Sequence, residues 1–392
     1  MYSQHPLDRE SELLLNCVTF HAGKNDTLNL TPESYSQLNW SKLVELATFH
    51  KIVPLLYITL NSFSRDCVPK SFLDSLKEQC HQIGAYNLFL SGTLISILST
   101  FNDEGIRAIP FKGPVLTEMI YGNLSLRSFN DLDILVSRNS LAKAIDLLFQ
   151  QGFSPDIDLN AKQLIKLADK GHHATMIRGN VIIELHWELT GRYFSRPITL
   201  ETLEPRITQT TFSGCKVHSL SPEDLLIYLC IHGCRHHWHQ LDAICCVAKL
   251  IHVRPDLDWK LIMHLCDRQG SSRMVALGLL LSNKIAGVKL PEDALEITNN
   301  YSQLQKLYPI ILERLFPSRS HENIKFGFFQ YVGFHHEVMS NHLDWLRYCL
   351  RPLLNPTHSD WLWIRLPASL SLIYYLFRPV RLLIKYLRRK SS

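Results

Sequence analysis

The chain lacks a strong excess of charge of either sign, a long apolar run and any cysteine framework. Its 41 lysines and arginines against 36 acids leave a net charge of +5. That is too mild for the generally basic, aromatic-interleaved surface of an RNA binder. Six of the basic residues crowd between Arg378 and Ser392, where there is no acid. No unbroken apolar stretch reaches the about 18–20 residues of a transmembrane helix. The nearest, Trp361 to Phe377, is interrupted by Arg365 and Pro367. Ten cysteines are scattered without a Cys-x-x-Cys pair or a regular spacing, which fits free thiols in a reducing cytoplasm. The opening Met1-Tyr2-Ser3-Gln4-His5-Pro6 is polar, unlike a secretory leader. Internal repeats and low-complexity tracts are missing as well.

What remains is a globular composition, 46% hydrophobic and 20% charged over 392 residues. At about 100–200 residues per domain this allows two or three domains. Residues 1–101 read as helical: Glu10 to Phe20, then a turn-rich gap, then Trp40 to Leu60 broken near Pro54, then Ser71 to Phe101 as one long helix. No chemistry is visible there. The texture changes at Asn102-Asp103-Glu104-Gly105, which is turn chemistry. Between 102 and 220 short strands alternate with helices. Ile106 to Phe111 reads as a strand, Pro114 to Tyr121 as a helix with proline in its first turn, and Asp131 to Val136 as a second strand. Asn139 to Gln151 reads as a helix closed by Gly152. Two β-prone runs around Gly179-Asn180 then read as a hairpin. From Ser221-Pro222-Glu223-Asp224, a capped helix start, residues 221–392 are again helical. The expected class is α+β: a small mixed-sheet core between helical N- and C-terminal domains.

The candidate chemistry lies in the central segment. Along a strand, side chains alternate faces, so Asp131 and Asp133 point the same way while Leu132, Ile134 and Val136 take the other. Two carboxylates side by side repel unless a cation sits between them. On the second strand of the hairpin Glu184, His186 and Glu188 share one face opposite Ile183, Leu185 and Trp187. Upstream, Lys112-Gly113 forms a tight turn and Arg127 precedes the acidic strand. Downstream, Cys230, Cys234 and His237 are zinc-ligand types at helical spacing without an obvious fourth ligand.

This order of elements resembles the nucleotidyltransferase fold shared with DNA polymerase beta. More closely, it is similar to a bacterial family of uncharacterised nucleotidyltransferases. The residues carrying the resemblance are Lys112-Gly113, Arg127 with Asp131-Leu132-Asp133, and Glu184-Leu185-His186-Trp187. Leu229-Cys230-Ile231-His232-Gly233, His237-Trp238 and Leu376-Phe377-Arg378-Pro379-Val380-Arg381 add to it. The resemblance implies transfer of a nucleoside monophosphate from a nucleoside triphosphate (NTP) by a two-metal carboxylate mechanism. Asp131, Asp133 and Glu184 would be the catalytic carboxylates and the ligands of Mg²⁺ or Mn²⁺. Lys112, Gly113 and Arg127 would meet the triphosphate, and His186 and Glu188 would support the metal ligands. At the turn, Pro114 stands where the wider superfamily has a serine on the triphosphate.

Two further readings remain at this point. One is a catalytically silent binding or scaffold protein that keeps the fold. The other takes Asp131-Leu132-Asp133 as the metal motif of a sugar-nucleotide glycosyltransferase, which needs an α/β half before it. The acceptor is unnamed by the sequence, with a small molecule or a protein ahead of nucleic acid. The tail from Leu370 to Lys390 combines aromatics, leucines and basic residues, a pattern compatible with peripheral contact at the inner membrane face of a cytoplasmic protein.

Overall fold

The computed structural model describes residues 7–23, 38–63, 65–156, 171–191, 194–317, 328–354, 363 and 373–390. The turn-rich gap after His21 and most of the stretch Trp361 to Phe377 lie outside the described residues.

Local chemistry sets the helix ends. Asp8 caps Arg9–His21 by accepting from the Ser11 N–H at 2.9 Å. Ser221 caps Pro222–Arg235 through the Asp224 N–H at 3.1 Å, with Pro222 in the first turn. The expected helix Trp40 to Leu60 is two helices, Trp40–Phe49 and Val53–Phe63. The break falls at Lys51-Ile52, and Pro54 sits in the first turn of the second helix.

The central sheet has five strands: β1 (Ala108–Pro110), β2 (Asp131–Val136), β3 (Ser154–Pro155), β4 (His173–Arg178) and β5 (Val181–His186). Their spatial order is β1-β2-β5-β4-β3, with β2 and β5 parallel and the other neighbours antiparallel. The hairpin of β4 and β5 turns at Gly179-Asn180, as its sequence requires. A separate hairpin, β6 (Thr208–Phe212) with β7 (Cys215–Ser219), packs beside β1.

Two hydrophobic cores hold these parts. The smaller lies under the sheet and joins Leu132, Ile134, Ile183 and Leu185 to Ile145 and Leu148 of the helix Leu141–Gln150. The larger joins Leu14, Leu43 and Leu56 of the N-terminal helices to Leu226, Val247 and Leu277 of the C-terminal ones. The helices flanking the sheet in sequence thus share one core.

The long helix Lys70–Asp103 connects the two cores: Leu73 and Leu76 enter the larger, Leu90, Leu94, Ile97 and Phe101 the smaller. By length and composition it could cross a membrane, although its sequence holds no unbroken apolar run. Its buried face against the sheet is what a core helix shows. From this helix Asn87 donates through Nδ2 to the carbonyls of Leu124 and Arg127, each at 2.7 Å. That clamp fixes the loop leading into the acidic strand. At the C-terminus, Tyr374–Lys390 is helical with Pro379 inside it.

Candidate active site

In the parallel pair, Asp133 stands opposite Glu184. Paired residues on neighbouring strands share a face, so these two carboxylates lie side by side, with Asp131 one pleat away on the same face. His186, two residues beyond Glu184, joins them. Its Nε2 lies 3.2 Å from Asp133 Oδ1 and 3.3 Å from Glu184 Oε2. Ligand atoms of Asp133, Glu184 and His186 all fall within 4.8 Å of one another. From β4, His173 pairs with His186 and sets its Nε2 3.9 Å from Glu184 Oε1. Past the strand end, the N–H groups of Trp187 and Glu188 both donate to the His172 carbonyl. Glu188 is buried there and does not line the cleft.

Lys112 approaches from the turn after β1 and places Nζ 3.3 Å from Asp133 Oδ2. The Asp133 side chain is fully buried. Burial pushes its pKa up, but the Lys112 charge and the His186 hydrogen bond outweigh it and hold the carboxyl well below the ordinary range. The same contacts raise Lys112 and His186 against the burial that would lower them. Asp131 shifts the other way: burial first, then the neighbouring Asp133 charge, raise its carboxyl. An acidic face with one member pushed up by its neighbours is short of positive charge.

The donor set fits a divalent cation. Asp133 Oδ2 is buried with the Lys112 ammonium 3.3 Å away as its ion-pair partner and takes no hydrogen bond among the described residues, so a second cation can share it. The carboxylate oxygens of Asp131, Asp133 and Glu184 suit Mg²⁺, and the imidazole of His186 suits Mn²⁺ as well.

Gly113 has a left-handed backbone, φ +52°, and a Cβ there would lie 3.0 Å from the Asp131 carbonyl oxygen. Glycine is therefore required for the turn to seat against the acidic strand. Arg127 does not point to open solvent. Its Nε and Nη2 grip the Asp242 carboxylate at 2.9 Å each, from the start of the helix Leu241–Val253. Nη1 remains buried without a hydrogen-bond partner among the described residues.

Above the carboxylates lies a cleft of about 430 Å³, within the range of ligand sites. Asp131, Glu184, Lys112, Gly113 and Arg127 line one side, so the strand and turn candidates converge. The opposite wall comes from the helix Pro222–Arg235 and its exit: Tyr228, His232, His236 and His239. Residues 228, 232 and 236 repeat at four-residue spacing and therefore share a helix face. The His232 and His236 rings stand 4.5 Å apart. Burial, then nearby cations, lower the His232 imidazole, and the His236 imidazole shifts the same way although much of that residue is exposed. Arg235 donates to His172 Nε2 at 2.7 Å, pinning helix to sheet. The zinc-type residues do not assemble. Cys234 Sγ accepts from Trp238 Nε1 at 3.4 Å, and His237 meets His335 at 3.1 Å.

Sequence reasoning overlooked Lys51, Asp242 and Tyr228 as cleft residues. Only Tyr228 carried a readable signal, its four-residue spacing from His232.

A solved structure of the antibiotic-resistance factor ANT(2'')-Ia is similar at 11% identity, covering 46% of this chain and 91% of that one, with a TM-score of 0.32. No protein with a curated description matches. The model of a family described as uncharacterised nucleotidyltransferase matches residues 36–287, taking in the sheet, the acidic strand, the hairpin and both cleft-lining helical regions. The chain belongs to that uncharacterised nucleotidyltransferase family.

Proposed function

We propose that the protein transfers a nucleoside monophosphate from an NTP to a small-molecule or protein acceptor in the cleft above Asp131, Asp133 and Glu184. The observation that carries this is the register of β2 against β5, which sets Asp133 beside Glu184 with Asp131 on the same face of a ligand-sized cleft. These three carboxylates would hold Mg²⁺ or Mn²⁺, and a bound cation of this kind neutralises phosphate charge and lowers the pKa of an attacking hydroxyl.

The chain's own groups prepare that site. Lys112 and His186 keep Asp133 ionised in a buried position, where an unpaired carboxyl would take a proton. His186 fixes Asp133 against Glu184, holding the two acids in one orientation. Arg127, held by Asp242, adds a fixed positive charge to the cleft lining rather than swinging freely. The wall of Tyr228, His232 and His236 offers rings on which a planar group can stack.

The test is calorimetric titration of the purified protein with each NTP, with and without Mg²⁺ or Mn²⁺, followed by assay of pyrophosphate release. Metal-dependent binding lost in an Asp131→Ala/Asp133→Ala variant supports the assignment; unchanged binding in that variant refutes it.

A second reading, a silent binding protein that keeps the fold, draws on the contact of Lys112 with Asp133 and on Pro114 at the turn. It requires the absence of metal-dependent heat with any NTP. The glycosyltransferase reading gains no support, because the described residues before β1 are helical rather than an α/β half.

A further inference from the structure

The helix His342–Leu354 has two unlike faces. Its aromatic face is fastened to the helix Phe328–Val338. Trp345 Nε1 donates to the Val332 carbonyl at 3.1 Å, and the Tyr331 hydroxyl donates to that of Tyr348 at 2.9 Å. Tyr348 also packs on Phe194, with ring centroids 5.1 Å apart. Leu343, Leu346 and Leu350 fall at i, i+3 and i+7, a single stripe on the other side. They are 63%, 45% and 39% exposed. A leucine stripe normally turns to the core; here aromatic residues hold the core side and the leucines meet water. Arg347 lies among them, with Asp344 as its ion-pair partner at 3.2 Å.

The stripe belongs to a wider apolar surface. Ten large hydrophobic side chains are exposed among the described residues. Five of them, the three leucines with Trp363 and Val380, lie beyond residue 340, so this exposure is concentrated at the C-terminal end. Val380 sits on the helix Tyr374–Lys390, which packs against His342–Leu354. Trp363 meets Phe377 of the same helix, with ring centroids 6.5 Å apart. From Arg378 onward the chain carries six basic residues and no acid.

Exposed leucine, valine and tryptophan beside a basic, acid-free helix complement a bilayer with anionic headgroups: the apolar groups enter the acyl boundary and the bases meet the headgroups. A second copy of the chain fits less well, because a two-fold contact here sets two identical basic helices against each other. At 13 and 17 residues, the two helices are shorter than a membrane span, so the contact is peripheral. We propose that His342–Leu354 and Tyr374–Lys390 together dock the protein on an anionic membrane surface. The inference holds whether or not the cleft binds a nucleotide.

The test is co-sedimentation of full-length protein with vesicles of phosphatidylcholine alone and of equimolar phosphatidylcholine and phosphatidylglycerol. Wild type is expected to bind the anionic vesicles, less so as salt is raised, and to ignore the neutral ones. One variant, Leu343→Ser/Leu346→Ser/Leu350→Ser, removes the stripe, for about ten- to hundredfold weaker binding. A second, Lys385→Gln/Arg388→Gln/Arg389→Gln/Lys390→Gln, removes bases, for about a hundredfold loss at low salt. Exposed positions leave the thermal midpoint of the leucine variant near that of wild type. Wild-type protein that binds neither vesicle, or both equally, overturns the proposal. So does full binding by either variant. Self-association of wild type that the leucine variant abolishes, without vesicle binding, overturns it too and assigns the patch to a second copy.

Discussion

The pair Arg127–Asp242 joins the loop before the acidic strand to the C-terminal helical region, and its removal gives a sharp energetic test. Both residues are 8% exposed, and the guanidinium meets the carboxylate through Nε at 2.9 and 3.2 Å and Nη2 at 2.9 Å. Arg127→Met leaves the Asp242 carboxylate buried, with the Cys246 thiol at 3.8 Å as a weak donor. Asp242→Leu leaves a buried guanidinium whose Nη1 is already unsatisfied. Breaking a buried pair from one side costs about 3–5 kcal/mol, because a charge remains without compensation. Removing both sides takes away both desolvation penalties together. The double variant is therefore expected well below the 6–10 kcal/mol or so that the two single changes would sum to, with a coupling energy of about 3 kcal/mol or more.

Equilibrium urea unfolding of the four proteins measures this, with tryptophan fluorescence and far-ultraviolet circular dichroism followed together to check that one transition is seen. Single-variant losses that add to within about 0.5 kcal/mol in the double variant would falsify the claim that the pair acts as one buried unit.

Three other outcomes follow from the same geometry. Gly113→Ala forces a β-carbon to 3.0 Å from the Asp131 carbonyl at φ +52°; a loss of about 1–3 kcal/mol is expected, together with weaker metal binding, and unaltered metal affinity would contradict the seating of this turn on the acidic strand. Asn87→Leu deprives the buried carbonyls of Leu124 and Arg127 of their donor, for an expected loss of about 1–3 kcal/mol in chemical denaturation; a neutral variant would show that the clamp is dispensable. His236 is lowered to about 4, chiefly by burial and then by Arg235, so it is neutral when folded while the unfolded imidazole takes a proton below its ordinary value of 6.5. Its contribution is present above pH 6.5 and is lost as pH falls toward 4, reduced by the solvent that reaches this exposed residue. Asp131, whose carboxyl is raised, works in the opposite direction, so the comparison must be wild type against His236→Gln; equal pH slopes for the two would remove the imidazole from this account.

The sequence alone determined those features whose cause is local. Alternation made Asp131 and Asp133 share a face, the Gly179-Asn180 pair turned the hairpin, and Ser221-Pro222 began the helix that became the cleft wall. Spacing of this kind is read within a few residues, and it made Asp131, Glu184, Lys112 and Gly113 candidates before the fold brought them to one cleft.

Only the tertiary structure decided what depends on contacts far apart in the chain. The parallel register that sets Asp133 beside Glu184 joins residues 51 positions apart, and Arg127 meets its partner Asp242 across 115. Lys51 is the plainest case, because its left-handed backbone follows from how two helices meet. Nothing in the residues around it signals that φ. Its place in the cleft is set by Gln240 and Asp242, more than 180 residues later. Local preferences act through neighbouring atoms and leave a pattern in the sequence. A site assembled from distant segments is fixed by packing of the shared core, which leaves none.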